Sequence, residues 1–222
     1  MKRAAGEKAV EEIKDGMTIG LGSGSTVYWT IKKIGERISQ GLQIKAIPSS
    51  EETARLAKEA GIPLTSFAEV ESLDLSIDGA DEVDPDFHLI KGGGGALLRE
   101  KFVDMFTKSF IVVIDESKLV PVLGSFPLPV EVVPFGWEMT AKSLAEFGCN
   151  PVLRKKGLDV FLTDNGNYIL DCDFSSIGDP VKLHRELKQL TGVIETGLFT
   201  GMADKVIVGK EDGVEILVPD DK

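Results

Sequence analysis

Met17-Thr18-Ile19-Gly20-Leu21-Gly22-Ser23-Gly24-Ser25-Thr26 carries the first decision about the fold. It opens with an apolar run of strand length, passes through a glycine-rich turn, and delivers Ser25 and Thr26 at the head of a stretch with helical period. Similar apolar runs follow at LQIKAI (42–47), LDLSI (73–77) and FIVVI (110–114), with helical or turn-like segments between them. That alternation predicts a parallel sheet flanked by helices. In such sheets the ligand lies beyond the carboxyl ends of the strands, so the loops after 17–21, 73–77 and 110–114 are where a site is expected.

Two readings fit the first loop. Its glycines free backbone amides beside a helix N-terminus, which suits a phosphate, and it is equally a tight turn with a Ser or Thr N-cap. A dinucleotide fingerprint is excluded, because Ser25 stands where the third glycine belongs and the second strand ends in Ile47-Pro48-Ser49-Ser50 instead of an acidic residue. No Walker A lysine follows.

The 222 residues allow one domain or a large and a small one. With 36 Asp and Glu against 25 Lys and Arg, the net charge of -11 argues against nucleic acid, whose binding rests on clustered cations. A small anion remains compatible, since a few aligned amides and lysines suffice for it. Cys149 and Cys172 have neither disulfide-scaffold nor metal spacing and are expected to be buried, reduced thiols. MKRAAGEKAVEEIK (1–14) reads as an amphipathic helix and not a signal peptide, and no apolar run approaches the ~20 residues of a membrane span. The expectation is a cytoplasmic protein without membrane contact.

Near Phe126 the Pro-containing FPLPVEVVPF (126–135) breaks the alternation. After it come a helix pattern over 137–147, strand-like VLRKK (152–156) and DVFLT (159–163), and the turn Asp164-Asn165-Gly166-Asn167. YILDCDF (168–174) completes a hairpin signal, and a helix pattern covers 180–190. This reads as a small α+β domain. The tail strands DKVIVG (204–209) and GVEILVP (213–219) fit either domain.

Three further segments could carry chemistry. Asp78-Gly79-Ala80-Asp81-Glu82-Val83-Asp84 places carboxylates at the end of a strand, where they could bind a metal, cap a helix, form a solvated loop, or accept hydrogen bonds from sugar hydroxyls. Lys91-Gly92-Gly93-Gly94-Gly95 runs directly into a helix pattern with Leu98, Phe102, Met105 and Phe106 on one face. Flexible linkers mix in polar residues, so this run points to a close backbone approach to a ligand. Glu100 then lies in the first turns of that helix, facing ligand or solvent. Asp115-Glu116-Ser117-Lys118 brings a lysine to the same sheet edge. His88 and His184 are too isolated for a metal site or a triad.

Taken together, GSGST (22–26), SIDGADEVD (76–84), KGGGGALLREK (91–101) and VIDESK (113–118) resemble, in this order and spacing, the type A ribose-5-phosphate isomerases. LPVEVVPF, TDNGNYILD, GVIETGLF and DGVEILV extend the resemblance over essentially the whole chain. It implies an α/β fold with a Rossmann-like parallel-sheet domain over 1–128 and 203–222 and a smaller inserted α+β, ferredoxin-like domain over 129–202. It also implies interconversion of ribose 5-phosphate and ribulose 5-phosphate in the pentose phosphate pathway, with no metal or organic cofactor, by a homodimer or homotetramer. By motif, substrate is held by Ser23, Gly24, Ser25, Thr26, Asp78, Gly79, Ala80, Asp81, Lys91, Gly92, Gly93, Gly94 and Lys118. Glu100 is the base, and Lys2 adds a phosphate contact.

The residue types suit that chemistry. Moving a carbonyl from C1 to C2 transfers a proton between neighbouring carbons through an enediolate, which one carboxylate can do, and partial desolvation would raise the basicity of Glu100. Lys91, Lys118 and glycine amides suit the enediolate oxygen, and Asp78 or Asp81 suits ring opening and the proton shift between oxygens. Two alternatives compete. A coenzyme A transferase would also use a glutamate, but this chain is short for one. A sugar-phosphate sensor of a transcription regulator would have a basic helix-turn-helix extension, which no segment here resembles.

Overall fold

A computed structural model describes residues 1–219. Its first half comprises α1 (Lys2–Ala9), β1 (Thr18–Leu21), α2 (Val27–Ser39), β2 (Lys45–Pro48), α3 (Glu51–Glu59), β3 (Leu75–Asp78), β4 (Glu82–Val83), β5 (Leu89–Ile90), α4 (Leu97–Met105) and β6 (Phe110–Asp115). The second half comprises β7 (Leu128–Val132), α5 (Trp137–Ala145), β8 (Asn150–Leu153), β9 (Lys155–Lys156), β10 (Asp159–Val160), β11 (Tyr168–Asp173), α6 (Pro180–Leu187), β12 (Val193–Thr196), β13 (Leu198–Phe199), β14 (Lys205–Lys210) and β15 (Gly213–Leu217). Contacts group the chain into a larger unit, Met1–Ala80 with Arg99–Leu119 and the residues from Met202 onward, and a smaller one, Asp81–Leu98 with Val120–Gly201.

The larger unit holds a six-stranded sheet in the order β15-β14-β6-β3-β1-β2. Its strands are parallel apart from the antiparallel β14-β15 ribbon. β6 is buried along its whole length, the burial expected of a central parallel strand whose sequence is continuously apolar. From β1 the chain proceeds to β2 on one side, and the next strand, β3, lies on the other. The order therefore reverses between β1 and β3, the position at whose carboxyl ends α/β sheets bind ligands. Ile19, Leu21, Val27, Ile31, Ile34, Ile77, Ile111 and Val113 lie in the core of this unit. Its tail strands return to this sheet, β14 pairing with β6.

The smaller unit contains the antiparallel sheet β12-β7-β11-β8 and the short sheets β13-β5-β4 and β10-β9. Leu128, Val130, Val132, Leu170 and Cys172 point from alternate strand positions into a core with Leu144 and Leu187 of α5 and α6. Asp179 caps α6 by accepting from the Lys182 amide, with Pro180 at the first helical position. Residues 81–98 and 120–128, which the family resemblance assigns to the larger domain, group by contacts with this unit; β4 and β5 form a sheet with β13.

The hairpin read from the sequence around 164–167 is replaced by another arrangement. The turn exists, with the Gly166 amide bonded to the Thr163 carbonyl at 2.9 Å, but β10 pairs with β9, and β11 pairs with β7 and β8. The fully buried Glu131 carboxylate on β7 explains the difference. Its Oε1 accepts from Thr163 Oγ1 at 3.0 Å and Asn167 Nδ2 at 2.9 Å, drawing the turn over β7. Both cysteines are free and buried, and the Cys149 thiol together with burial pushes the Cys172 thiol up. Among the described residues no helix is long and apolar enough to cross a membrane.

Candidate active site

In the larger unit the β1–α2 loop folds against the end of β3. Asp78, fully buried, accepts through Oδ1 from the Ser23 amide at 2.9 Å and the Gly79 amide at 2.6 Å. A Cβ at Gly22 would overlap the Asp78 carboxyl, so this contact requires glycine. The Ser23 hydroxyl turns inward to Ser49 Oγ (3.0 Å), Ser50 Oγ (2.9 Å) and Thr53 Oγ1 (3.1 Å), and Thr53 Oγ1 donates to the Gly22 carbonyl at 2.8 Å. Ser23 thus holds the loop's shape, while Gly24 and Ser25 remain exposed.

The expected Ser or Thr cap of α2 is not made. The helix begins at Val27, and Thr26, itself in helical conformation, forms no side-chain cap bond. Lys2 Nζ reaches Ser25 Oγ at 2.9 Å and lies 3.9 Å from Asp115, so α1 brings its cation to the β1–α2 loop. Past β6, Lys118 closes a short 3-10 turn and is half-buried.

Asp115 is held below the usual carboxylate range. Burial, the largest influence, works to raise it, and the Ser117 hydroxyl and amide with the Lys2 and Lys118 charges outweigh burial. A carboxyl depressed in the folded state stabilises above its unfolded pKa, about 3.9, and loses that stabilisation as pH falls through the folded value. Asp115→Asn is therefore expected to melt below the wild type at neutral pH, with the gap closing below about pH 4. Thermal unfolding followed by circular dichroism from pH 7 to pH 3 checks this, and a constant gap contradicts it.

Glu100 is 4% exposed, which excludes the solvent-facing reading. Lys101 and Asp104 of α4 are also buried, whereas its apolar Phe102 and Met105, and Phe106 just after it, are exposed. Phe67 packs edge-on against Phe102 and Phe106, at ring-centroid distances of 5.4 and 5.9 Å. Burying a carboxylate ahead of three large apolar side chains opposes the usual partition.

In the smaller unit the acidic run separates into distinct tasks. Glu82 accepts from the Gly124 amide at 2.7 Å and the Phe126 amide at 2.6 Å, and Asp84 from the His88 amide at 2.8 Å. Asp81 accepts through Oδ2 from the Gly93 amide at 2.7 Å. Among the described residues no group of three or more His, Cys, Asp or Glu has the arrangement of a metal site.

Lys91 is 2% exposed, and its ammonium lies 5.3 Å from the centroid of the Phe199 ring. Behind it the Gly92–Gly95 turn is closed by the Gly95 amide on the Gly92 carbonyl at 2.9 Å. Much of the glycine requirement comes from the protein itself. A Cβ at Gly93 would come 2.5 Å from Asp81 Oδ1, and one at Gly95, where φ is +87°, would collide with the Phe161 ring. Gly94 faces open space, and its amide has no protein acceptor among the described residues.

Residues 45–213 match the family model described as ribose 5-phosphate isomerase A (phosphoriboisomerase A). The chain is 57% identical to ribose-5-phosphate isomerase A 1 of Oceanobacillus iheyensis, over 97% of each chain. It is similar to the solved ribose 5-phosphate isomerase A of Methanocaldococcus jannaschii, with a TM-score of 0.94, 42% identity and coverage of 98% of this chain and 97% of that one. A D-ribose-5-phosphate isomerase solved in complex with phospho-erythronic acid matches with a TM-score of 0.95 and 42% identity, over 98% of this chain and 97% of that one.

Proposed function

The chain belongs to the ribose 5-phosphate isomerase A family, and from that membership we propose how its residues interconvert ribose 5-phosphate and ribulose 5-phosphate, with Glu100 as the proton carrier. The reaction is an aldose-ketose isomerisation in the non-oxidative branch of the pentose phosphate pathway. In the open-chain aldose, Glu100 removes the proton from C2, and the electron pair moves through the new C1–C2 double bond onto the C1 oxygen. The resulting enediolate takes a proton at C1, the hydroxyl proton passes from O2 to O1, and the ketose forms with no atom gained or lost. Asp78 or Asp81 assists ring opening and the oxygen-to-oxygen transfer.

Lys91 and the amides of the glycine loop stabilise the enediolate oxygen, as preorganised donors do for charge that develops in a transition state. The exposed loop at Gly24 and Ser25, Thr26 at the uncapped head of α2, Lys2 and Lys118 hold the phosphate. Ser23 and Gly79 serve through loop geometry, Ser23 by its amide and hydroxyl and Gly79 by its amide bond to Asp78; Ala80 continues that strand end. The observation that carries the reading is the burial of Glu100, because a carboxylate withdrawn from water on a helix following a glycine loop has no role as a surface residue. Phospho-erythronic acid, seen with a relative, supports it chemically: a planar carboxylate on a phosphorylated chain has the charge and shape of the enediolate. We also propose a homodimer or homotetramer located in the cytoplasm.

Proton NMR in D2O tests the mechanism. EDTA-treated protein given ribose 5-phosphate is expected to yield ribulose 5-phosphate carrying deuterium at C1. Product formed without any deuterium would favour direct hydride shift over an enediolate, and binding without turnover would favour the sensor reading.

A further inference from the structure

Arg154 lies outside every motif that marked the site, at the break between β8 and β9, yet its backbone is fixed on both sides. Its amide donates to the Ile169 carbonyl at 2.9 Å, and its carbonyl accepts from the Phe161 amide at 3.0 Å. The guanidinium makes a two-pronged ion pair with Asp171, Nε to Oδ2 at 2.9 Å and Nη2 to Oδ1 at 2.5 Å. This geometry orients the remaining nitrogen. Nη1 then donates to two successive carbonyls of the glycine loop, Gly92 at 2.8 Å and Gly93 at 3.1 Å. The ring of Phe161, which packs on Gly95, lies 5.8 Å from the guanidinium carbon.

Those two carbonyls have consequences on the other side of the loop. Its peptide bonds are trans, so each carbonyl points opposite to the N–H of the following residue in the same plane. Gripping the Gly92 carbonyl turns the Gly93 amide away from Arg154, and that amide donates to Asp81 at 2.7 Å. Gripping the Gly93 carbonyl likewise orients the Gly94 amide, the one without a protein acceptor. Glycine has the widest backbone freedom, so a run of four needs an external restraint to hold one orientation. Lysine could not replace it, because one ammonium lacks the fork that binds Asp171 and both carbonyls together.

We propose that Arg154 is a positioning residue for the isomerisation: anchored by Asp171, it fixes two peptide planes of the glycine loop so that their N–H ends hold Asp81 and face the enediolate oxygen. The inference rests on the reading of Asp81 and the loop as parts of the site. The test is a double-mutant cycle on the full chain with Arg154→Ala, Asp81→Asn and both together, measuring kcat, KM and thermal melting. Arg154→Ala is expected to lower kcat about 10- to 100-fold, in the range of a misplaced catalytic group, with melting still cooperative. In the Asp81→Asn background the same change is expected to cost several-fold less than it does alone, because the Asp81 arm is already disabled and only the orientation of the Gly94 amide is left to lose. Millimolar methylguanidinium is expected to restore part of kcat to Arg154→Ala and to leave Arg154→Lys unchanged.

Independent, multiplying effects of the two substitutions would overturn the proposal, as would an Arg154→Ala enzyme with wild-type kcat. Wild-type turnover by Asp81→Asn alone would remove the reading of Asp81 and the relay with it. Should Arg154→Ala fail to fold, Arg154→Lys enters the same cycle with the same expected coupling.

Discussion

Glu100→Gln is expected to retain the fold and the substrate KM and to lose at least ~100-fold in kcat. The substitution keeps the size and planarity of a side chain that is 4% exposed, so packing around α4 is preserved. It removes the ability to accept and return a proton, a function exercised only as the C–H bond breaks. An interaction needed only in the transition state appears in kcat and leaves KM nearly constant. Steady-state assays in both directions, with circular dichroism as the check on folding, decide the matter. Turnover within a few-fold of wild type would reassign the base.

Lys91→Met is expected to lower kcat/KM by ~100- to 1,000-fold, the loss typical when one preorganised donor to a developing oxyanion is removed. Methionine fills nearly the same unbranched volume in a position that is 2% exposed, without the charge. A lysine so deeply buried beside Phe199 bears a desolvation cost that a surface cation avoids, which is the ground for proposing it as the charge-stabilising donor. The measurement is kcat/KM for ribose 5-phosphate with a matched melting curve. A loss below tenfold would leave the oxyanion to the loop amides.

Much of this was legible in the sequence because the physics there is local. The strands read at 17–21, 73–77 and 110–114 appear as β1, β3 and β6, displaced by a residue or two, since a continuous apolar run bounded by loops has few alternatives in an α/β protein. Asp78, Asp81 and Lys91 stood out through their positions at a strand end and at the glycine run, whereas for Glu100 the helix pattern allows ligand or solvent and only the family resemblance gives it a role. The two-residue strands β4, β5 and β13 were not legible, being shorter than any period can register. The inward turn of Ser23 depends on Ser49, Ser50 and Thr53, which are close only after β1 and β2 pair. Arg154 stood in the strand-like run VLRKK, and nothing local tells that Asp171 and two glycine carbonyls will surround it.

The placement of β14 between β6 and β15 has a consequence for synthesis. The Phe110 amide bonds to the Asp204 carboxylate across a separation of 94 residues, and the pairing of β14 with β6 begins beside it. Until the ribosome has released those late residues, the wholly apolar FIVVI segment has a bare hydrogen-bonding edge, the kind of template on which nascent chains associate wrongly. The smaller unit's segment between β6 and β14 emerges during that interval, so completion of the larger sheet waits on its synthesis. The interval in which this sheet is most open to wrong association therefore falls before β14 and β15 arrive.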